Sequence, residues 1–181
     1  MTGNNKNEND GGASTVSDYK TLWIKSSGFF SLYPAKTDTQ ASDNSDAVLL
    51  DIARVGTWDW ASEWAASGAK SDVFVYYFTK APAENEEGGA YHGAEICIPY
   101  SDYSNVTWND TDYKIESVIS AYWANFIRTG NPNGDGLIQF PPSSSIYSAM
   151  HLGESFGAVP IAASKKRISF LRRWMSTLHQ Y

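Results

Sequence analysis

Apolar positions along the chain fall into a few rhythms, and each rhythm predicts an element. From Ala47 onward Val48, Leu49, Ile52, Val55, Trp60 and Trp64 recur mostly at three- to five-residue steps, which predicts a helix ending near Gly68. Val73-Phe-Val-Tyr-Tyr-Phe-Thr79 is a run of β-branched and aromatic residues without polar alternation, the pattern of a buried strand. Ile115, Val118, Ile119, Tyr122, Trp123, Phe126 and Ile127 share one helical face. Asp110 and Asp112 suit the positive amino end of that helix, and Gly130 suits its stop.

Polar stretches mark the connections. Residues 3–18 and the segment Asp38 to Asp46 are expected to be loops, as is the long stretch from Lys80 to Pro99. Pro132, Pro141 and Pro142 keep the chain irregular before a short strand at Tyr147 to Leu152 and a final helix from about Ala163 to Leu178. Helices alternating with buried strand sequence predict an α/β layer architecture in one domain spanning 1–181. A single convincing internal strand is too few for a closed sheet.

Composition narrows the function classes. At 181 residues with 42% hydrophobic and 14% aromatic content, the chain has the material for a packed core. Twenty acidic against 14 basic side chains give a net charge of -6, which argues against a nucleic-acid partner. No apolar run approaches the ~18 residues of a membrane span. Cys97 is the single cysteine, so no internal disulfide and no cysteine-based zinc site is expected. Met1 is followed by polar residues rather than a signal peptide, while Asn105-Val-Thr107 and Asn109-Asp-Thr111 are glycosylation acceptors that matter only in a secretory compartment.

The residues with chemical potential cluster in the loop after the buried strand. His92 lies between Gly89 and Gly93, in a loop that must turn sharply where α/β proteins gather functional side chains. An imidazole there suits a general base, because it titrates near neutrality and responds to a carboxylate partner. A plain surface-loop histidine fits the same position.

Several motifs turn this into a specific expectation. Ala90-Tyr-His-Gly-Ala-Glu-Ile96 resembles the histidine loop of the type-B carboxylesterases, an α/β-hydrolase family. In the same order, Gly3-Asn-Asn-Lys through Asp10-Gly-Gly-Ala13 resembles the family's acid loop, and Tyr122-Trp-Ala-Asn-Phe-Ile-Arg-Thr-Gly-Asn-Pro-Asn133 its late helix and turn. Met150-His-Leu-Gly through Phe156 and Pro160 is similar to its segment ahead of the last helix.

The resemblance implies the carboxyl-terminal portion of an α/β-hydrolase fold, without the amino-terminal sheet and nucleophile elbow. It makes His92 the triad histidine and Asp10, before Gly11 and Gly12, the acid, with Glu8 as the second candidate. Glu95 corresponds to a glutamate that positions the histidine loop. The implied reaction is hydrolysis of a small carboxylic ester through an acyl-serine, with no metal or organic cofactor. The serine would lie upstream of these residues, so the chain supplies two triad members of three and is expected to be inactive alone. The strand that delivers the acid loop is expected to be missing too. A parent protein of this family would be secreted. A non-catalytic binding descendant of the same fold is the alternative.

Gly153-Glu-Ser-Phe-Gly157 matches the Gly-x-Ser-x-Gly nucleophile pattern, yet Ser155 follows His92 in the chain, whereas the fold's order is serine, acid, histidine. We therefore set Ser155 aside as the triad nucleophile. His151 and His179 have no acidic or metal-ligand partner at helpful spacing, and Cys97 suits a packed strand-edge residue better than a nucleophile. Tyr91, Trp58, Trp60 and Trp64 are candidates to line an ester pocket, although aromatics at helical spacing also build cores. Lys165, Lys166, Arg167, Arg172 and Arg173 interleave with Ile168, Phe170, Leu171 and Trp174, which predicts an amphipathic surface helix.

Overall fold

The computed structural model describes residues 1–8, 12–83, 85–96, 108–143 and 147–178. The chain divides into two compact units, Met1–Glu8 with Thr57–Pro160, and Asn9–Gly56 with Ile161–Tyr181.

The first unit is built on a four-stranded sheet in the order β1 (Thr2–Asn5), β2 (Val75–Phe78), β3 (Ser148–Leu152), β4 (Phe156–Pro160). The first three strands run parallel, and β3 turns back into β4 as an antiparallel hairpin. β1 is a correction to the sequence reading, which held this strand absent and residues 3–18 a loop. Gly and Asn are poor strand formers, so Thr2-Gly-Asn-Asn5 becomes a strand through pairing with β2, with Thr2 opposite Val75 and Asn5 opposite Phe78. β4 also escaped prediction, because Gly157 and Pro160 interrupt its pattern.

Strand alternation decides what each face carries. Phe74 and Phe78 with Met150 and Leu152 cover one face, where they pack against Ile115, Ile119 and Tyr122. Those three lie on α4 (Asp110–Thr129), within the span that apolar spacing predicts. Asn109 caps it by accepting from the Thr111 and Asp112 amides, while the Asp112 carboxylate accepts from the Asn109 amide at 3.1 Å. Gly130 closes its other end. Ala90 and Ala94, from the loop after β2, join this core, so the histidine loop is anchored on the α4 side of the sheet.

The second unit is helical: α1 (Val16–Trp23), α2 (Phe29–Leu32), the larger part of α3 (Asp38–Ala66) and α5 (Lys165–Met175). Thr15 caps α1 by accepting from the Asp18 amide, a four-residue signal within the supposed loop. α3 begins nine residues earlier than the apolar pattern predicts, so the supposed connection Asp38 to Asp46 is helix. Its buried stripe runs Ala41, Ser45, Val48, Asp51, Val55, and the first two are too small to register as a hydrophobic rhythm. Phe29 sits at the centre of the unit, stacked on Trp23 at 4.2 Å between ring centroids and on Tyr33 at 5.1 Å.

Arg167 departs from the surface-helix expectation. Its guanidinium donates to the Leu32 carbonyl at 3.0 Å and to Asp51 Oδ2 at 3.1 Å, and lies 4.0 Å from the centroid of the Tyr33 ring. The Tyr33 hydroxyl donates to the same Asp51 oxygen at 2.8 Å. Burial pushes the Asp51 carboxyl above the usual carboxylate range, and the Tyr33 hydrogen bond and the Arg167 charge pull against it. Burial, reinforced by the Asp51 charge and hydrogen bond, pushes the Tyr33 hydroxyl up.

Candidate active site

The carboxyl ends of β1 and β2 set the site. Beyond β1 the chain stays knitted to its neighbours: the Lys6 amide donates to the Phe78 carbonyl at 2.9 Å, and the Asn7 amide to the Ala90 carbonyl at 3.0 Å. The Asn7 side chain accepts from the Ala90 amide at 3.1 Å, giving a two-way clamp between the acid segment and the histidine loop. Glu8 is the next residue on one side of this clamp, and His92 the second on the other.

One strand residue earlier, the fully buried Asn5 donates to the Tyr91 carbonyl at 2.7 Å and to a Glu95 carboxylate oxygen. The other oxygen of Glu95 accepts from the Tyr76 hydroxyl at 3.1 Å. Glu95 thus joins the histidine loop to β1 and β2 at once. Burial, then the negative charge of Glu95 and its hydrogen bond, push the Tyr76 hydroxyl well above its ordinary range, so it serves as a permanent donor. Gly93, with φ +83, makes the turn right after His92 in a backbone region that disfavours side chains.

His92 Nδ1 lies 3.6 Å from Glu8 Oε1. That is ion-pair range and longer than a closed hydrogen bond. The Glu8 side chain is 20% exposed and the His92 side chain 88%, so the acid is sheltered while the imidazole faces outward. Asp10, the first acid expected from sequence, lies outside the described residues, as do Cys97, Asn105 and His179.

The remaining candidates stand apart from this pair. Trp58 is buried and packs on Tyr147 at 4.6 Å between ring centroids. Trp60 and Trp64 are surface residues lining a small cleft with Met1, Val73 and Phe126, at the amino ends of β1 and β2. Strand direction therefore separates Trp60 and Trp64 from the His92 loop. Among the described residues no three His, Cys, Asp or Glu side chains group as metal ligands.

Ser155 sits in the turn between β3 and β4, not between a strand and a helix. Both glycines of its motif have hairpin explanations. A Cβ on Gly153 would collide with the Thr79 hydroxyl, and Gly157 pairs with His151 in β4. His151 itself has the partners that sequence spacing hides: Thr79 Oγ1 at 2.7 Å from Nε2 and Ser155 Oγ at 3.1 Å from Nδ1.

The fold is that of the α/β-hydrolase esterases. EstA of Aspergillus niger matches with a TM-score of 0.64 at 17% identity, over 96% of this chain and 38% of that one. An esterase from Clostridium hathewayi, described as hydrolysing aliphatic aromatic polyesters, matches with a TM-score of 0.53 at 19% identity over 87% of this chain and 29% of that one. The profile of the carboxylesterase family matches residues 13–170, and the chain belongs to that family. Among curated relatives, liver carboxylesterase 1 of Oryctolagus cuniculus is 37% identical over 84 residues, 46% of this chain and 14% of that protein. Pyrethroid hydrolase Ces2a of Mus musculus is 30% identical over 94 residues, 50% of this chain and 16% of that protein. The matched stretches are thus a small fraction of the length of these relatives.

Proposed function

We propose that this chain supplies the histidine and the acid of a serine carboxylic-ester hydrolase, with His92 as general base and Glu8 as its acid partner. The observation that carries the reading is the 3.6 Å approach of His92 Nδ1 to Glu8 Oε1 across the Asn7–Ala90 clamp. In this role Nδ1 carries the proton facing Glu8. The outward Nε2 takes the proton from a serine hydroxyl supplied by a segment outside these 181 residues. It returns that proton to the alcohol oxygen as the ester bond breaks, then activates the water that frees the acid. Glu8 holds the tautomer and compensates the transient imidazolium charge. Glu95 keeps the loop in place through Asn5 and Tyr76 and does not react.

The substrate class is a small carboxylic ester, and the parent protein enters the secretory pathway, where Asn105 and the exposed Asn109 are the glycosylation acceptors. The test joins these residues, by gene fusion or as a mixture, to a segment carrying the family's nucleophile elbow, and measures aryl-ester cleavage. Cleavage that depends on His92 is expected. Cleavage equal in the His92→Ala version would overturn the role of His92. A stable, monodisperse assembly without any cleavage would favour the binding-only reading instead.

A further inference from the structure

The sheet face opposite the histidine loop carries a second imidazole held between hydroxyls. His151 on β3 is in register with Tyr77 of β2, and the two rings lie 6.3 Å apart between centroids. Its Nε2 meets Thr79 Oγ1 at 2.7 Å and its Nδ1 meets Ser155 Oγ at 3.1 Å, so both ring nitrogens are oriented. A neutral imidazole has one donor and one acceptor nitrogen, while a hydroxyl can play either part. With Nε2–H donated to Thr79, Nδ1 is the lone-pair nitrogen facing the Ser155 hydroxyl, the arrangement of an activated nucleophile.

The local chain is shaped to keep this contact. A Cβ on Gly153 would strike the Thr79 hydroxyl and come within 3.3 Å of His151 Nε2, so only glycine lets the hairpin turn lie this close. Ser155 is exposed on the wall of a cleft of about 740 Å³, which Lys6, Lys80, Glu86 and Glu154 also line. That volume admits a small molecule.

We propose that Ser155 is a reactive nucleophile that accepts acyl or phosphonyl groups from small activated esters and fluorophosphonates. With a fluorophosphonate, the Oγ–P bond forms as the P–F bond breaks, fluoride leaves, and the hydroxyl proton passes to His151 Nδ1 and on to solvent. With an aryl ester, the Oγ–C bond forms, the bond to the aryloxide breaks, and the proton returns from His151 to the leaving oxygen. The acyl group stays on Ser155 until water removes it. Thr79 is a neutral hydroxyl where a hydrolase triad has a carboxylate, so it orients the ring without compensating the imidazolium charge. Replacing the carboxylate of a triad by a neutral amide costs about 10⁴-fold in rate, so the adduct forms slowly. This site is independent of the role given to His92.

The test treats the 181-residue chain with a fluorophosphonate probe and locates the adduct by peptide mass spectrometry. One adduct on Ser155 is expected, undiminished in His92→Ala, absent in Ser155→Ala, and at least tenfold slower in His151→Gln whose circular dichroism matches the parent chain. Free imidazole should restore labelling to His151→Ala. No adduct, an adduct on another residue, or a labelling rate unchanged by loss of His151 would each overturn the proposal.

Discussion

Asn5 and Tyr91 stand 86 positions apart in sequence and are joined by a 2.7 Å hydrogen bond from a fully buried amide to a loop carbonyl. The same amide serves Glu95, so one side chain on β1 fixes both flanks of His92. Asn5→Ala removes one donor from the Tyr91 carbonyl and one from the Glu95 carboxylate, and should destabilise the sheet unit by about 1–3 kcal/mol. Asn5→Asp should cost more, because it sets a carboxylate against Glu95. Urea unfolding followed by tryptophan fluorescence measures this, since Trp123 lies 5.3 Å from the Tyr76 ring between centroids. An Asn5→Ala midpoint equal to that of the parent chain would contradict the clamp.

The pairing of His92 with Glu8 predicts which carboxylate matters in an ester-cleaving assembly. Glu8→Gln keeps the shape and loses the charge that holds the imidazolium, so kcat should fall by about 10²–10⁴-fold with KM little changed. Asp10→Asn should leave kcat close to the parent value. The reverse result would make Asp10 the acid, as the family resemblance of the segment before its glycine pair implies.

Much of this arrangement was legible in the residues, and what was hidden has a physical cause. The α4 face and the β2 run announce themselves through apolar spacing, and the His92 loop through its resemblance to the family's histidine loop. β1 does not, because Gly3, Asn4 and Asn5 have no strand propensity and gain their conformation only from the β2 ladder. The early turns of α3 show no apolar rhythm because their buried face is Ala41 and Ser45. The family resemblance puts Asp10 ahead of Glu8 because Asp10 precedes the glycines, whereas the approach of Glu8 to His92 beside the Asn7–Ala90 clamp depends on strand pairing that local sequence does not show. His151 looked isolated for a similar reason: Thr79 reaches it only through strand pairing, 72 positions away.

In the helical unit, Arg167 pairs with the buried Asp51 and favours its charged form against the effect of burial. The Arg167 and Asp51 side chains are only 20% and 9% exposed, so removing one partner leaves a poorly solvated charge. Arg167→Ala should cost about 3–5 kcal/mol, and adding Asp51→Asn should recover part of it. The Asp51 carboxyl already titrates above its unfolded value of 3.8, chiefly through burial. A raised carboxylate contributes stability that is complete below the unfolded value and is lost as pH rises through the folded one. Arg167→Ala should therefore become more stable on acidification from neutrality toward that value, and the double variant should not. Equal pH profiles from urea melts of the two variants would contradict the assignment.

Alkaline pH should attack the same unit through its tyrosines. Burial pushes the Tyr19 hydroxyl from 10.0 up to about 12, with the Arg167 charge pulling the other way, and Tyr33 is raised more strongly. In the sheet unit Tyr76 and Tyr122 are raised as well. An unfolded tyrosine loses its proton near 10.0 while the folded one keeps it, so the unfolded state gains as pH rises between the two values. Stability that is complete below the unfolded value should then fall by up to about 1.4 kcal/mol per pH unit for each such tyrosine. Tyr19→Phe loses the hydrogen bond to the Tyr33 carbonyl but also removes one titrating group, so its stability should decline less steeply above pH 10 than that of the parent chain. Urea melts at stepped alkaline pH, read beside tyrosinate absorbance, compare the two slopes, and parallel slopes would mean that Tyr19 ionises as freely in the folded protein as in the unfolded one.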